Sequence, residues 1–278
     1  MVASEVTVVI LVALVLGAFE WRVTARNTGT PYNGLGAVNG VLRRDSAAPM
    51  RYRVLVPWML APVPERRQTV VYQALKTVLI ALALLAARPL VGVRGVLALA
   101  VLVASTFEYD YWDCYAELLG VALCLSNNVV LVALGGALWG FSRETALFAP
   151  ILALVASGPA AGLAALTGPA ALSLVRAVQG HASLYCERWM LRAYNWPDLR
   201  DALRRWDVAP FVSMAWTVGA VAVVAFGRGA MPGPLARTAP LARTAPLALV
   251  WVASGWVLAR ARETRVFMPV ALWLAGVV

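Results

Sequence analysis

The stretch "FEYDYWDCYAELLG" carries the densest reactive chemistry in the chain. Asp110, Asp113 and Glu117 stand at i, i+3 and i+7, so a helix there lines all three along one stripe. Ionised side chains at bilayer depth are costly and usually face a bundle interior or an aqueous cavity, where they pair or act. Such a stripe could supply a general base toward a hydroxyl, and Asp110 with Asp113 could hold a divalent cation such as Mg or Mn through oxygen ligands. The competing reading leaves Glu108 and Asp110 solvated at the interface beside an aromatic belt of Tyr109, Tyr111 and Trp112, with Asp113 and Glu117 in a buried ion pair.

Arginines recur around these carboxylates. "FSRETALFAP" places Arg143 and Glu144 between apolar runs, and "ARETRVFMP" repeats the triplet at Arg262, Glu263 and Thr264 before Arg265. Neighbours on a helix point about 100° apart, so Arg143 and Glu144 cannot satisfy one another directly. Glu144 then needs an arginine from "RYR" or "ARETR", and Arg143 needs Asp113 or a phosphate. One reading makes Glu144, Arg262 and Glu263 part of an ion-pair network that holds short helices together; the other gives them a substrate role. Arg51 and Arg53 flank Tyr52 just before an apolar segment, and with Arg143 and Arg265 they could grip a lipid-linked phosphate through paired hydrogen bonds. Ordinary phospholipid anchoring would use the same residues.

The elements that must position these groups are membrane helices. The 278 residues are 61% hydrophobic and 14% charged, with a mean hydropathy of +0.74, whereas soluble domains are about a quarter charged. The expectation is an all-α polytopic transmembrane helix bundle forming a single domain over residues 1–278, integral to a membrane. A net charge of +10 then points to anionic head groups or a phosphate-bearing substrate rather than nucleic acid. Lys76 is the only lysine among 24 basic residues. Cys114, Cys124 and Cys186 lack metal-ligand spacing, His181 is the sole histidine, and no phosphate-loop or dinucleotide-binding glycine motif occurs. No cofactor is required by the sequence beyond that candidate cation.

Apolar runs predict spans near 3–20, 69–87, 89–107, 111–126, 128–142, 144–157, 159–178, 209–227, 246–262 and 265–278, about eight to ten crossings once the shorter ones are discounted. The first is expected to be a retained helix rather than a cleaved signal. Between the spans lie a polar loop over 21–68, whose "VLVPWMLAPVPERRQ" reads as re-entrant or interfacial, and a second loop over 180–207 with an amphipathic helix in "WPDLRDALRRWDV". A third loop over 228–245 contains the repeat "PLARTAPLARTAP", whose prolines argue against helix. Alternating the spans through a bilayer brings 21–68, 108–113, the "SRET" turn, 180–207 and "ARETR" to one polar face. Arg88, Arg94, Arg228, Arg237 and Arg243 fall on the other.

"RYRVLVPWML" after a long first loop, the acidic aromatic segment, "SRETALFAP" and the late "ETRVFMPVALWL" resemble multi-pass bacterial membrane proteins related to the C-type glycosyltransferases, discontinuously over residues 51–278. The resemblance implies a polyprenyl-phosphate sugar donor, transfer on the non-cytoplasmic side, and a catalytic carboxylate near the first external loop. Asp45 is the residue this carries over, since that loop offers only Glu20 and Asp45. The positive-inside rule pulls the same arginine-rich face toward the cytoplasm. The alternative is a non-catalytic accessory subunit packing against partner membrane subunits and lipids, for which the small-residue runs "VALGGALWG" and "SGPAAGLAALTGPAALS" favour close helix contacts within or between chains.

Overall fold

The computed structural model describes residues 2–24, 34–44, 46, 50–106, 112–180, 196–205, 215, 218–219, 221, 239–258 and 264–276. Among them every regular element is helical. The chain runs α1 (Val2–Thr24), α2 (Gly34–Arg43), α3 (Leu55–Leu60), α4 (Glu65–Ala104), α5 (Asp113–Cys124), α6 (Val129–Ser142), α7 (Ala149–Ser157), α8 (Pro159–Ala164), α9 (Thr167–Gln179), α10 (Trp196–Arg205), α11 (Ala239–Leu258) and α12 (Ala271–Ala275). Tight 3-10 turns cover Met50–Tyr52, Glu144–Phe148 and Thr264–Val270.

Three stretches among the described residues are long and apolar enough to cross a membrane: Ser4–Thr24, Glu65–Ala104 and Pro159–Gln179. They make the chain compatible with an integral membrane protein. The runs expected as separate spans near 111–126 and 128–142 form helices of 12 and 14 residues. These are roughly 18 to 21 Å long, short of the ~30 Å hydrocarbon core. The expected spans 69–87 and 89–107 both lie in α4, which holds Pro89 and is interrupted at Gly92, where φ 69° and ψ 177° leave helical space. Only glycine adopts that backbone freely. The span expected over 209–227 lies almost wholly outside the described residues.

α1 and α4 run antiparallel, tied near both ends. Arg88 Nε donates to Glu5 Oε2 at 3.1 Å, and Lys76 Nζ donates to Glu20 Oε1 at 2.7 Å. At Gly17 a Cβ would fall 2.4 Å from Thr77 Oγ1, so the missing side chain sets the closeness of the crossing. The small-residue runs do the same within the chain: a Cβ on Gly120 would meet Trp139 Cβ at 2.7 Å, and one on Gly140 would meet the Gly168 carbonyl at 2.3 Å. α5, α6 and α9 therefore stack with backbones nearly touching, the mode of close packing that small residues permit in membranes.

Two loops expected from the sequence are partly helical. α2 forms despite three glycines, because it buries Gly34, Ala37, Val38 and Val41 on one face; tertiary burial outweighs weak propensity. The third expected loop, 228–245, is corrected over 239–245, which belongs to α11. Pro240 occupies the first turn, where no N–H is required, and Thr244 Oγ1 donates back to the Pro240 carbonyl at 2.7 Å. The segment expected to be re-entrant holds the six-residue α3 and, from Glu65, the first turn of α4. It is anchored by the Val54 N–H donating to the Phe141 carbonyl at 2.9 Å and by the rings of Trp58 and Phe141 at 6.0 Å. The expected helix in "WPDLRDALRRWDV" is α10, with Trp196 and Leu203 exposed.

Candidate functional site

The polar centre is built from four segments that the sequence separates widely. α5 begins at Asp113, so Asp113 and Glu117 sit one turn apart on the same side of its first turns. α6 ends after Ser142, and Arg143 takes an extended conformation (φ −153°, ψ 147°) that breaks the helix before the Glu144–Phe148 turn. Arg143 and Glu144 are thus not helical neighbours, which corrects the geometry expected for them. Arg53 arrives from the short segment between the Met50–Tyr52 turn and α3.

Their side chains interlock. Arg53 Nη1 and Arg143 Nε both donate to Asp113 Oδ2 at 2.8 Å. Arg143 Nη1 donates to Glu117 Oε2, and Thr145 Oγ1 donates to Glu117 Oε1. Trp139 Nε1 donates in turn to Thr145 Oγ1 at 3.0 Å. Glu144 Oε1 lies 3.6 Å from Arg53 Nη2, so Arg53 bridges Asp113 and Glu144. Asp113 and Glu117 have no exposed side-chain surface, while Glu144 keeps 25%. Carboxylates taken out of water persist as ions only with such partners.

This arrangement changes the expected roles. Asp113 and Glu117 are engaged by guanidiniums and a hydroxyl rather than presented to a substrate. Arg53 and Arg143 are turned toward carboxylates rather than toward a phosphate. A cation on Asp113 would have to sit against two arginines, and among the described residues no group of three His, Cys, Asp or Glu side chains could hold a metal ion. Asp110, the other expected cation ligand, lies outside the described residues, as do Asp45, Arg262 and Glu263; of Arg265 only the backbone is described.

Three of the segments expected on one polar face are in contact among the described residues. Arg53 from the first loop, Asp113 after the acidic aromatic segment and Arg143 of the "SRET" turn meet directly. Tyr52 Oη donates to the Gly180 carbonyl at 3.4 Å, bringing the start of the second loop to the same end. At its edge lies a basic rim. Arg51 donates from Nε to the Ser46 carbonyl and from Nη2 to the Arg44 carbonyl, both at 3.0 Å, drawing in a loop in which Arg44 has a positive φ of 61°. No described carboxylate lies within ion-pair distance of Arg43, Arg44 or Arg51.

Sequence reasoning gave no pairing to four participants. Thr145 and Trp139 are ordinary residues until the fold sets them against Glu117. Glu20 and Lys76 form a second buried pair, with Lys76 Nζ 4.6 Å from the centre of the Tyr72 ring. The signal for that pair was present: the chain's only lysine stands inside an apolar run. Comparison with family models, with curated proteins and with solved structures gives no match.

Proposed function

We propose that the chain is an integral membrane protein that binds a lipid-linked phosphate at the Arg43, Arg44 and Arg51 rim and transfers a sugar from a polyprenyl-phosphate donor. In this reading Asp45, between Arg44 and Ser46, is the base that takes the proton of an acceptor hydroxyl as that oxygen bonds to the anomeric carbon and the polyprenyl phosphate leaves. The Arg53–Asp113–Arg143–Glu117 network is the scaffold that holds the rim in place. The observation that carries it is the rim: three guanidiniums unopposed by any described carboxylate, in a loop braced by Arg51. Arginine in that state suits phosphate oxygens. The eight-to-ten-span arrangement belongs to the same proposal, with the short α5 and α6 accommodated by local bilayer thinning.

The test is to incubate native membranes containing the chain, which supply acceptor hydroxyls, with polyprenyl phosphate carrying a labelled sugar and follow release of the label from the lipid. Release that Asp45→Asn abolishes is the expected result. Unchanged release from Asp45→Asn, or none from the unaltered protein, overturns the reading.

A second reading, a non-catalytic membrane subunit, is favoured by one observation: Asp113 and Glu117 are sealed from water and consumed by arginines. It predicts no release of label and migration of the chain in a larger assembly when native membranes are solubilised gently. Its earlier support from small residues is reduced, because Gly120, Gly135, Gly136, Gly140 and Gly168 already serve contacts inside the chain.

A further inference from the structure

α7 and α11 lie side by side in opposite directions, from Arg243 at the end away from the ion network to Trp251, whose ring is 5.5 Å from that of Trp139 beside the network. The rings of Phe148 and Trp251 are 5.9 Å apart near one end of the pair, and Arg243 Nη1 donates to the Ala156 carbonyl at 3.4 Å near the other. Between these ties runs a groove lined by Phe148, Ile151, Leu247, Val250, Trp251 and Trp273, with Ser254 as its polar member. Phe148, Ile151 and Val250 are among the exposed large hydrophobic residues of the chain.

The Arg243 end has the character of a membrane surface. The α5–α6 turn there contains Ser126, Asn127 and Asn128, and Ser157 at the end of α7 donates to the Ser126 carbonyl and to Asn127 Oδ1. Arg243 stands one turn before Leu247, on the same side of α11. It is exposed, and among the described residues it has no carboxylate partner. From Arg243 to Ser254 the helix rises roughly 16 Å. That matches one leaflet, about half of a ~30 Å hydrocarbon core.

We infer that this groove is a binding site for one phospholipid, with its anionic head-group phosphate on Arg243 and an acyl chain lying along α7 and α11 toward Trp251 and Ser254. Charge and shape select the occupant. Among the described residues the charged side chain at the mouth is a cation, Arg243, and the groove beyond it, from Leu247 to Ser254, is mainly apolar. A partner helix would bury the apolar surface but leave the guanidinium unanswered. The Arg243 mouth lies at the end of the bundle away from the ion network, and the inference does not depend on the transferase reading.

The full-length chain, purified in detergent, is titrated by native mass spectrometry with phosphatidylglycerol and with phosphatidylcholine of identical acyl chains. The unaltered protein binds one phosphatidylglycerol preferentially. Arg243→Gln lowers its affinity for phosphatidylglycerol about fivefold, the effect of one arginine near an anionic head group, and lowers that for phosphatidylcholine, whose choline offsets the phosphate charge, by less. Ile151→Trp, which fills the groove from an exposed position, weakens both lipids. Circular dichroism verifies that both variants retain the helical fold. Equal binding of the two lipids by the unaltered protein, or an Arg243→Gln protein that keeps its preference, overturns the inference. So does displacement of phosphatidylglycerol by equimolar polyprenyl phosphate, which would assign the groove to a different lipid.

Discussion

Arg143 Nε donates to the Asp113 oxygen that also accepts from Arg53 Nη1, each at 2.8 Å, so one carboxylate oxygen ties the end of α6 to the segment before α3. Removing that charge leaves two guanidiniums facing each other out of water. Asp113→Asn is expected to destabilise the protein by about 3–5 kcal/mol. Replacing the set together, with Arg53→Met, Asp113→Leu, Glu117→Leu and Arg143→Met, should recover most of the loss, because no buried charge is then left unpaired. Heating in detergent followed by size-exclusion measurement of the surviving monodisperse fraction checks both. A quadruple variant no more stable than Asp113→Asn would show that the network does more than compensate its own burial.

The Lys76–Glu20 pair predicts the same asymmetry between α1 and α4. Lys76→Met removes the cation paired with the buried Glu20 carboxylate and should cost about 3–5 kcal/mol, whereas Glu20→Leu combined with Lys76→Met should cost much less. Comparing thermal midpoints of the single and double variants decides the matter. An additive pair of losses would mean that each charge has its own independent partner.

Gly140 sets the distance between α6 and α9. A Cβ there would lie 2.3 Å from the Gly168 carbonyl, a backbone atom that cannot swing aside. Gly140→Ala should therefore destabilise by about 1–3 kcal/mol. Leu134→Ala on the same helix is half exposed and should stay within about 0.5 kcal/mol of the unaltered protein. The contrast between the two, measured as melting temperatures, is the relevant readout.

Gly92 has open space where a side chain would go, yet its φ of 69° with ψ of 177° excludes other residues. Gly92→Ala should cost about 1–3 kcal/mol through backbone strain alone. A neutral result in the same melting assay would mean that α4 can straighten through the break.

Much of the polar face was legible in the sequence. The three-and-four spacing of Asp113 and Glu117, the isolated "SRET" triplet and the basic "RYR" each announced that charges had to find partners among apolar helices. Arg53, Asp113 and Arg143 do meet, although the spans near 69–87 and 89–107, alternated separately to group them, fall in one helix. Helix breaks at proline pairs and glycines were less readable. The prolines of the "PLARTAPLARTAP" repeat argued for loop, but Pro240 falls in the first turn of α11, where proline is tolerated.

Composition and periodicity by themselves determined that the chain is helical and apolar enough for a membrane, and that its carboxylates and arginines cluster, because burial in a low-dielectric core constrains residue type directly. Which acid meets which base was decided only in three dimensions. A carboxylate at the start of α5 is chemically the same whether it faces a phosphate, a cation or a guanidinium. The difference lies in the extended backbone at Arg143 and in the Val54 N–H bond to Phe141 that brings Arg53 alongside. Those are long-range contacts, and local sequence does not encode distances between segments 60 residues apart, the separation of Arg53 and Asp113.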